Sequence, residues 1–220
     1  MPASEMSPAQ AVAGVLAVAV LLSQFGVLRL LWVGGLVRIY AVQSLAVAAF
    51  AALVGWTTQN PDLYLLACLT LAIKCLGVPA LLRAIVRRLE VDERIPATVK
   101  VPLSLLVAIA LGALGFAAAG RLVGSAGPEL GLQVGMATVL VGFLVMVSRA
   151  NAIAQLVGFL TLENGIFVAT VALAPGMPLI VAVLLLLDIL LPALAFMVVI
   201  RVLARRHRSV HTVELNELRG

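Results

Sequence analysis

The sequence predicts an all-α fold: a polytopic transmembrane helical protein of about seven spans, N-terminus outside and C-terminus cytoplasmic. Three observations carry that reading. First, 63% of the 220 residues are hydrophobic and only 11% charged, with a mean hydropathy of +1.18, whereas about a quarter of a soluble domain is charged. Second, the apolar residues fall into repeated runs of about 20, the length that crosses roughly 30 Å of hydrocarbon. A transmembrane barrel would show short alternating segments instead of an unbroken run such as 102–120. Third, the basic residues concentrate in alternate connections, as the positive-inside rule requires.

The first span covers about 9–28 and ends at Arg29. It follows MPASEMSP, which lacks a basic n-region, so it reads as a retained span and not a cleavable signal. Span two, about 36–57, is entered through GGLVRIYAVQ and closed by WTTQNPD. Span three, about 63–82, carries Lys74 near its middle and Pro79 near its end. The connection 83–100, RAIVRRLEVDERIPATVK, is the one substantial polar stretch, and its first half suits a short interfacial amphipathic helix. Span four is about 101–120, followed by RLVGSAGPELG, and span five is about 131–148. Spans six and seven, about 152–173 and 177–201, are joined by APGMP, and a basic tail, 202–220, follows. The whole reads as one integral membrane domain. Trp32, Tyr40, Trp56 and Tyr64 fall near span ends, where aromatic rings anchor at the interface.

Charge assigns the sides. Thirteen basic residues lie in the segments 29–38, 83–100, 149 and 201–220, whereas the opposite connections hold only Arg121. That places 83–100 and the tail in the cytoplasm. The net charge of +5 is therefore a matter of orientation, not of nucleic-acid binding. Runs such as GVLAVAV, AVAAFAALVG and LGALGFAAAG supply small residues for close helix contact. Cys68 and Cys75, seven apart in one span, read as packing residues, and His207 and His211 in the tail do not form a metal cluster. No CxxC, HExxH, GxGxxG or P-loop pattern occurs, so the chain shows no redox or nucleotide site of its own.

The chemistry concentrates in three charged residues within predicted spans: Lys74, Glu163 and Asp188. Ionisable groups in a bilayer are expensive and by default mark an ion or proton path. Burial disfavours the charged form of either type, bringing proton exchange near neutral pH within reach. The plainer reading is a buried ion pair that fixes helix register. Asn164 extends a hydrogen-bond network from Glu163, and Gly165 leaves room for a water or another helix. Pro192 frees the backbone carbonyl at position 188. Gln43 and Gln155 add polar capacity near helix starts, while Asn151 and Arg149 stand at the cytoplasmic entrance to span six. Ser23, Gln24 and Arg29 read either as an interfacial cap or as part of a path.

The stretch RANAIAQLVGFLTLENGIFVATVALAPGMPLIVAVLLLLDILLPALAFMVVIRV resembles the hydrogenase-4 component E family, membrane subunits of group 4 nickel–iron hydrogenases and formate hydrogenlyase-type complexes. The Glu163–Asn164–Gly165 tripeptide, GMPL at Gly176–Leu179 and LLD at Leu186–Asp188 carry the match. Lys74 followed by Pro79, and the tail ending ELRG, look similar as well. The same portion resembles the K subunit of respiratory complex I and the C subunit of multisubunit sodium/proton antiporters. The resemblance implies a non-catalytic subunit that binds no cofactor itself. Nickel–iron and iron–sulfur centres would sit in peripheral hydrogenase subunits, beside antiporter-like and quinone-site-like membrane subunits in the cell inner membrane. It makes Glu163, Lys74 and Asp188 the expected proton relay. The family pattern often has a second carboxylate just after GMPL; this chain has Ala182 there, leaving Asp188 as the acidic companion of Glu163. Two other readings stand beside this one: a purely structural anchor, and an independent ion or solute transporter, for which no inverted repeat is evident.

Overall fold

A computed structural model describes residues 8–88, 94, 100–123, 129–174, 177, 183–184, 187–188, 190–198 and 201. Among them every regular element is helical. Helix α1 spans Pro8–Arg29 and α2 Val33–Thr58. Helix α3 is continuous through three parts, Pro61–Thr70, a π-helical turn at Leu71–Gly77, and Val78–Arg88. Helix α4 is Val101–Val123, α5 Glu129–Val147 and α6 Ala152–Leu173. Residues 183–184, 187–188, 190–198 and 201 are also helical, and this run is α7. Six of these helices are long and apolar enough to cross a membrane, and α7 falls within the expected seventh span.

Helix α6 runs over Ala152–Leu173, α5 ends at Val147, one residue before the expected 148, and α3 continues six residues past the expected 82; parts of the expected seventh span lie outside the described residues. Two differences have physical causes. The α1–α2 connection is only Leu30–Trp32, because an apolar helix leaves no reason to unwind before Arg38, whose side chain reaches solvent from the helix surface. The expected separate interfacial helix after span three is instead the uninterrupted end of α3, with Leu82 and Ile85 buried and Arg83 and Arg87 exposed. An amphipathic turn continues a helix when its apolar side still finds the bundle.

The α2–α3 hairpin shows how short the connections are. Gln59 adopts the left-handed conformation (φ 54°) and closes α2, Asn60 accepts a bond from the Asp62 amide, and Pro61 opens α3. Asparagine before proline is a strong helix start.

Within a bilayer, helices gain little from hiding apolar surface from one another, so shape decides who packs with whom. The most extensive contact is α5 on α6, and its cause is small residues spaced by seven. Gly135 and Gly142 of α5 admit α6 at Ala169 and Leu162, and Gly158 and Gly165 of α6 admit α5 at Met146 and Val139. A Cβ on Gly142 would stand 2.7 Å from the Leu162 amide, and one on Gly158 2.6 Å from the Met146 amide. Here Gly165 admits α5 itself, against Val139 and Thr138. Helix α6 becomes the centre of the bundle, 72% buried over its membrane-length window, whereas α4, packed outside α5, is 22% buried.

The core divides in two. One apolar cluster holds Val27, Leu28, Leu36, Tyr40, Leu82, Val145, Val157 and Phe196. The other holds Val20, Val47, Leu66, Val134, Phe167, Val171 and Leu184. The first lies toward the end where α1 meets α2 and where α5 meets α6. Tyr40 is fully buried in it, so it is not an interfacial anchor; Trp32, Trp56 and Tyr64 are exposed near helix ends as expected.

Candidate functional site

Between the two apolar clusters runs a layer of buried polar side chains, and every described helix except α4 contributes to it. The layer comprises Gln24 of α1, Gln43 and Ser44 of α2, and Thr70 and Lys74 of α3. Thr138 of α5, Thr161, Glu163 and Asn164 of α6, and Asp188 of α7 complete it. In α1, α2, α3, α5 and α6 these residues stand about a turn from an apolar contact of each cluster, and in α7 Asp188 lies between Leu184 of one cluster and Phe196 of the other. That arrangement puts the layer at mid-depth of the bundle.

Lys74 is its hub. The ammonium stands 2.6 Å from Asp188 Oδ1 and 3.2 Å from Glu163 Oε1, donates to Asn164 Oδ1 at 3.3 Å, and lies 5.7 Å from the centre of the Phe167 ring. Its position follows from the local sequence. Pro79 has no amide hydrogen to give the Cys75 carbonyl, so the preceding turn has slack. The Val78 amide reaches back five residues to Ile73, and the Leu71–Gly77 turn widens to π geometry. Such insertions recur at functional sites, and here the widened turn aims the lysine at α6 and α7.

The two carboxylates are held differently. Asp188 is fully engaged, Oδ1 by Lys74 and Oδ2 by the Thr70 hydroxyl at 2.9 Å. Glu163 is held by Lys74 at 3.2 Å, a contact longer and less well aligned than that of Asp188, and its two oxygens are buried with no well-aligned hydrogen-bond partner among the described residues. Buried acceptors are rarely left so. Two carboxyls share one ammonium, leaving one negative site in excess, and a proton is the smallest ion that balances it.

From Lys74 the bonds run into α2 and α1. Asn164 donates to Gln43 Oε1 at 3.2 Å and to Ser44 Oγ at 3.4 Å, and Gln43 donates to the Val20 carbonyl at 3.0 Å. Gln43 therefore sits inside the bundle, not near a helix start. Gln24 is buried too, donating to the Thr138 carbonyl at 3.4 Å, which removes it from an interfacial cap.

Arg149, Asn151 and Gln155 are not in this layer. They build a latch at the α5–α6 connection. The guanidinium of Arg149 donates through Nη2 to the carbonyls of Val27 (3.3 Å) and Leu28 (2.5 Å), groups that the end of α1 leaves without helical partners. Burial there pulls Arg149 below its ordinary value. Asn151 caps α6 by accepting from the Ile153 and Ala154 amides, and Gln155 donates to the Arg149 carbonyl at 2.7 Å.

Sequence reading placed Lys74, Glu163, Asp188, Asn164 and Gln43 among the candidates, and the fold brings all five together. It did not single out Thr70, Ser44 or Thr138. The available signal was helical spacing, since Thr70 is four residues before Lys74. Ala182 lies outside the described residues. Cys68 and Cys75 are free thiols, Cys68 exposed and Cys75 half-buried. Among the described residues no group of three or more His, Cys, Asp or Glu could hold a metal ion.

No protein-family model matches the sequence, and no solved structure matches the fold. The chain is similar to the Uncharacterized protein Rv0085 of Mycobacterium tuberculosis strain H37Rv, 32% identical over 191 residues that cover 84% of each chain. Neither result ties it specifically to the hydrogenase-4 or complex I K families; the structure is that of a polytopic helical membrane protein, a membrane-embedded bundle. At that identity and coverage, the chain belongs to the family of this mycobacterial protein.

Proposed function

We propose that the protein is a non-catalytic membrane subunit of a multisubunit hydrogenase or complex I-like oxidoreductase, and that its polar layer is part of a proton path coupled to electron transfer. The observation that carries this is the Lys74–Glu163–Asp188 trio. Ionisable groups at bilayer depth are costly and tend to serve transport, and here one carboxylate is held at both oxygens while the other is ion-paired but has no well-aligned hydrogen bond among the described residues. Asp188 acts as the standing counter-ion of Lys74, and Glu163 as the group that takes and gives a proton. Asn164 and Gln43 extend the network toward α2 and α1.

The resemblance of 149–202 to hydrogenase-4 component E supports the wider setting. The partners are then antiporter-like and quinone-site-like membrane subunits, with nickel–iron and iron–sulfur centres in peripheral subunits. The Arg-rich end, where Arg149 meets the end of α1 and Trp32 pairs with Arg94, faces the cytoplasm of the cell by the positive-inside rule.

A second reading, a purely structural anchor, draws on the closed geometry of Asp188, Lys74 and Thr70. The separating experiment is Glu163→Gln in the intact complex, with electron transfer and proton movement measured together in sealed vesicles. A relay predicts that proton movement falls while assembly and the peripheral redox activity persist. Both rates unchanged in a fully assembled complex would leave the anchor.

A further inference from the structure

The first turns of α2 carry an aromatic ring and an arginine on one outward face. Helix α2 packs on α1 along one side and on α3 along another, with α6 behind it, so its remaining side looks out of the bundle. Arg38, Val42 and Leu45 are exposed there, spaced as one helical stripe. The indole of Trp32 folds back over Gly34, where an added Cβ would stand 2.7 Å from the ring. Gly34 and Arg38 are one turn apart on the same side of the helix. The exposed ring and the exposed guanidinium therefore share that face. The bridge between Trp32 and Arg94 brings another exposed arginine to the start of α2, and α3 adds exposed Arg83 and Arg87 at the same end.

Depth separates these groups from ordinary surface charge. Gly55 of α2 meets Leu63 of α3 near the opposite end of the hairpin. At about 1.5 Å per residue, Trp32 and Arg87 both lie about 35 Å from that contact, and Arg38 about 25 Å. The hydrocarbon layer is about 30 Å thick, so Arg38 leaves the helix below the headgroups while Trp32 stands among them. A guanidinium keeps its proton there, and its long side chain rises to the nearest phosphate or water. Among the described residues no carboxylate pairs with Arg38, Arg83 or Arg87. Segments 29–38 and 83–100 together hold seven basic and three acidic residues, and the acids, Glu90, Asp92 and Glu93, lie outside the described residues.

We propose that this face is a seat for one anionic phospholipid. Its phosphate sits on Arg38 beside the Trp32 indole, and an acyl chain runs along Val42 and Leu45. A planar guanidinium takes two phosphate oxygens at once. Arg83, Arg87 and Arg94 supply a positive field that favours a headgroup of net negative charge, and they repel the ammonium of a zwitterionic one. Depth selects a lipid over an acidic protein segment. A peripheral chain stays outside the headgroups, whereas a lipid already occupies the level from which Arg38 springs. The seat stands independently of the proton path, since lipid enrichment and proton movement are separate measurements.

The chain has two tryptophans, Trp32 and Trp56, at opposite ends of α2, so each reports on its own end. The test reconstitutes the full chain in phosphatidylcholine vesicles containing a minor fraction of brominated phosphatidylglycerol. Brominated phosphatidylcholine in the same amount is the reference, and tryptophan quenching by the two is compared. In W56F, where Trp32 reports alone, phosphatidylglycerol should be enriched about threefold or more over phosphatidylcholine. Folded R38Q should bring that ratio close to one, and the folded double variant R83Q/R87Q should lower it partway. R121Q, at the far end of α4, should leave it unchanged. In W32F, Trp56 should see no enrichment. Equal quenching by the two lipids at Trp32 would assign the arginines to another partner and overturn the seat. Enrichment that survives both R38Q and the double variant, or that is equal at Trp56, would overturn it as well.

Discussion

The mid-depth trio and the latch at the α5–α6 connection are built from the same kind of residue, yet they do opposite work. In the latch, Arg149, Asn151 and Gln155 spend their polar atoms on backbone: the carbonyls of Val27, Leu28 and Arg149, and the amides of Ile153 and Ala154. At a helix end such groups have no intrahelical partner, so a polar side chain there is absorbed by the backbone. At mid-depth most backbone groups bond within their own helix. Lys74, Glu163, Asp188, Asn164 and Gln43 turn mainly to one another and to the Thr70 and Ser44 hydroxyls, with Gln43 also donating to the Val20 carbonyl, and the balance leaves Glu163 short. Depth along the helix thus separates a structural polar residue from a candidate chemical one.

The largest break in this comparison is expected from Lys74→Met. Removing the hub leaves two buried carboxyls with no counter-charge, and breaking a buried pair from one side costs about 3–5 kcal/mol. Unfolding in lipid nanodiscs should show that loss, and replacing Glu163 and Asp188 by Leu in the same chain should recover most of it. If the triple variant is no more stable than Lys74→Met alone, uncompensated charge is not the cause.

Next comes Arg149→Met, which frees two carbonyls of α1 and should cost roughly 1.5–3 kcal/mol, the range for bonds to a charged group. Proton movement in the assembled complex should be unaffected; a change there would join the two regions that the structure separates.

A sharper contrast lies inside the trio. Asp188→Asn loses the shorter ion pair and weakens the link to Thr70, so it should destabilise by about 1–3 kcal/mol, whereas Glu163→Gln, which loses the longer pair and leaves Asp188 to balance Lys74, should stay within about 1 kcal/mol of wild type. Equal losses would remove the division of labour between them. The smallest effect is Asn151→Ala, about 1 kcal/mol for a lost cap, measurable as a shift in the same unfolding midpoint.

Much of this was legible in the chain. The apolar runs located α1 to α6 to within a few residues at most ends, and the mid-span positions of Lys74, Glu163 and Asp188 were visible as breaks in those runs. Less legible were Tyr40 and Gln24, which resemble interface residues by their distance from Arg38 and Arg29 but are buried by the neighbours they pack on. Arg149, Asn151 and Gln155 stand at the start of span six as the sequence indicates, two to four turns of helix from Glu163, where the backbone takes up their polar atoms.

Sequence by itself determined the depth of each group, because a helix rises about 1.5 Å per residue whatever surrounds it. It could not determine azimuth. Which faces meet was decided by the glycines that let α5 lie against α6, by the π turn that turns Lys74 toward Asp188, and by the fit of α7 over Glu163. Those are contacts between distant parts of the chain. They convert three isolated charges into one buried cluster in which Asp188 is held at both oxygens and Glu163 by Lys74 alone.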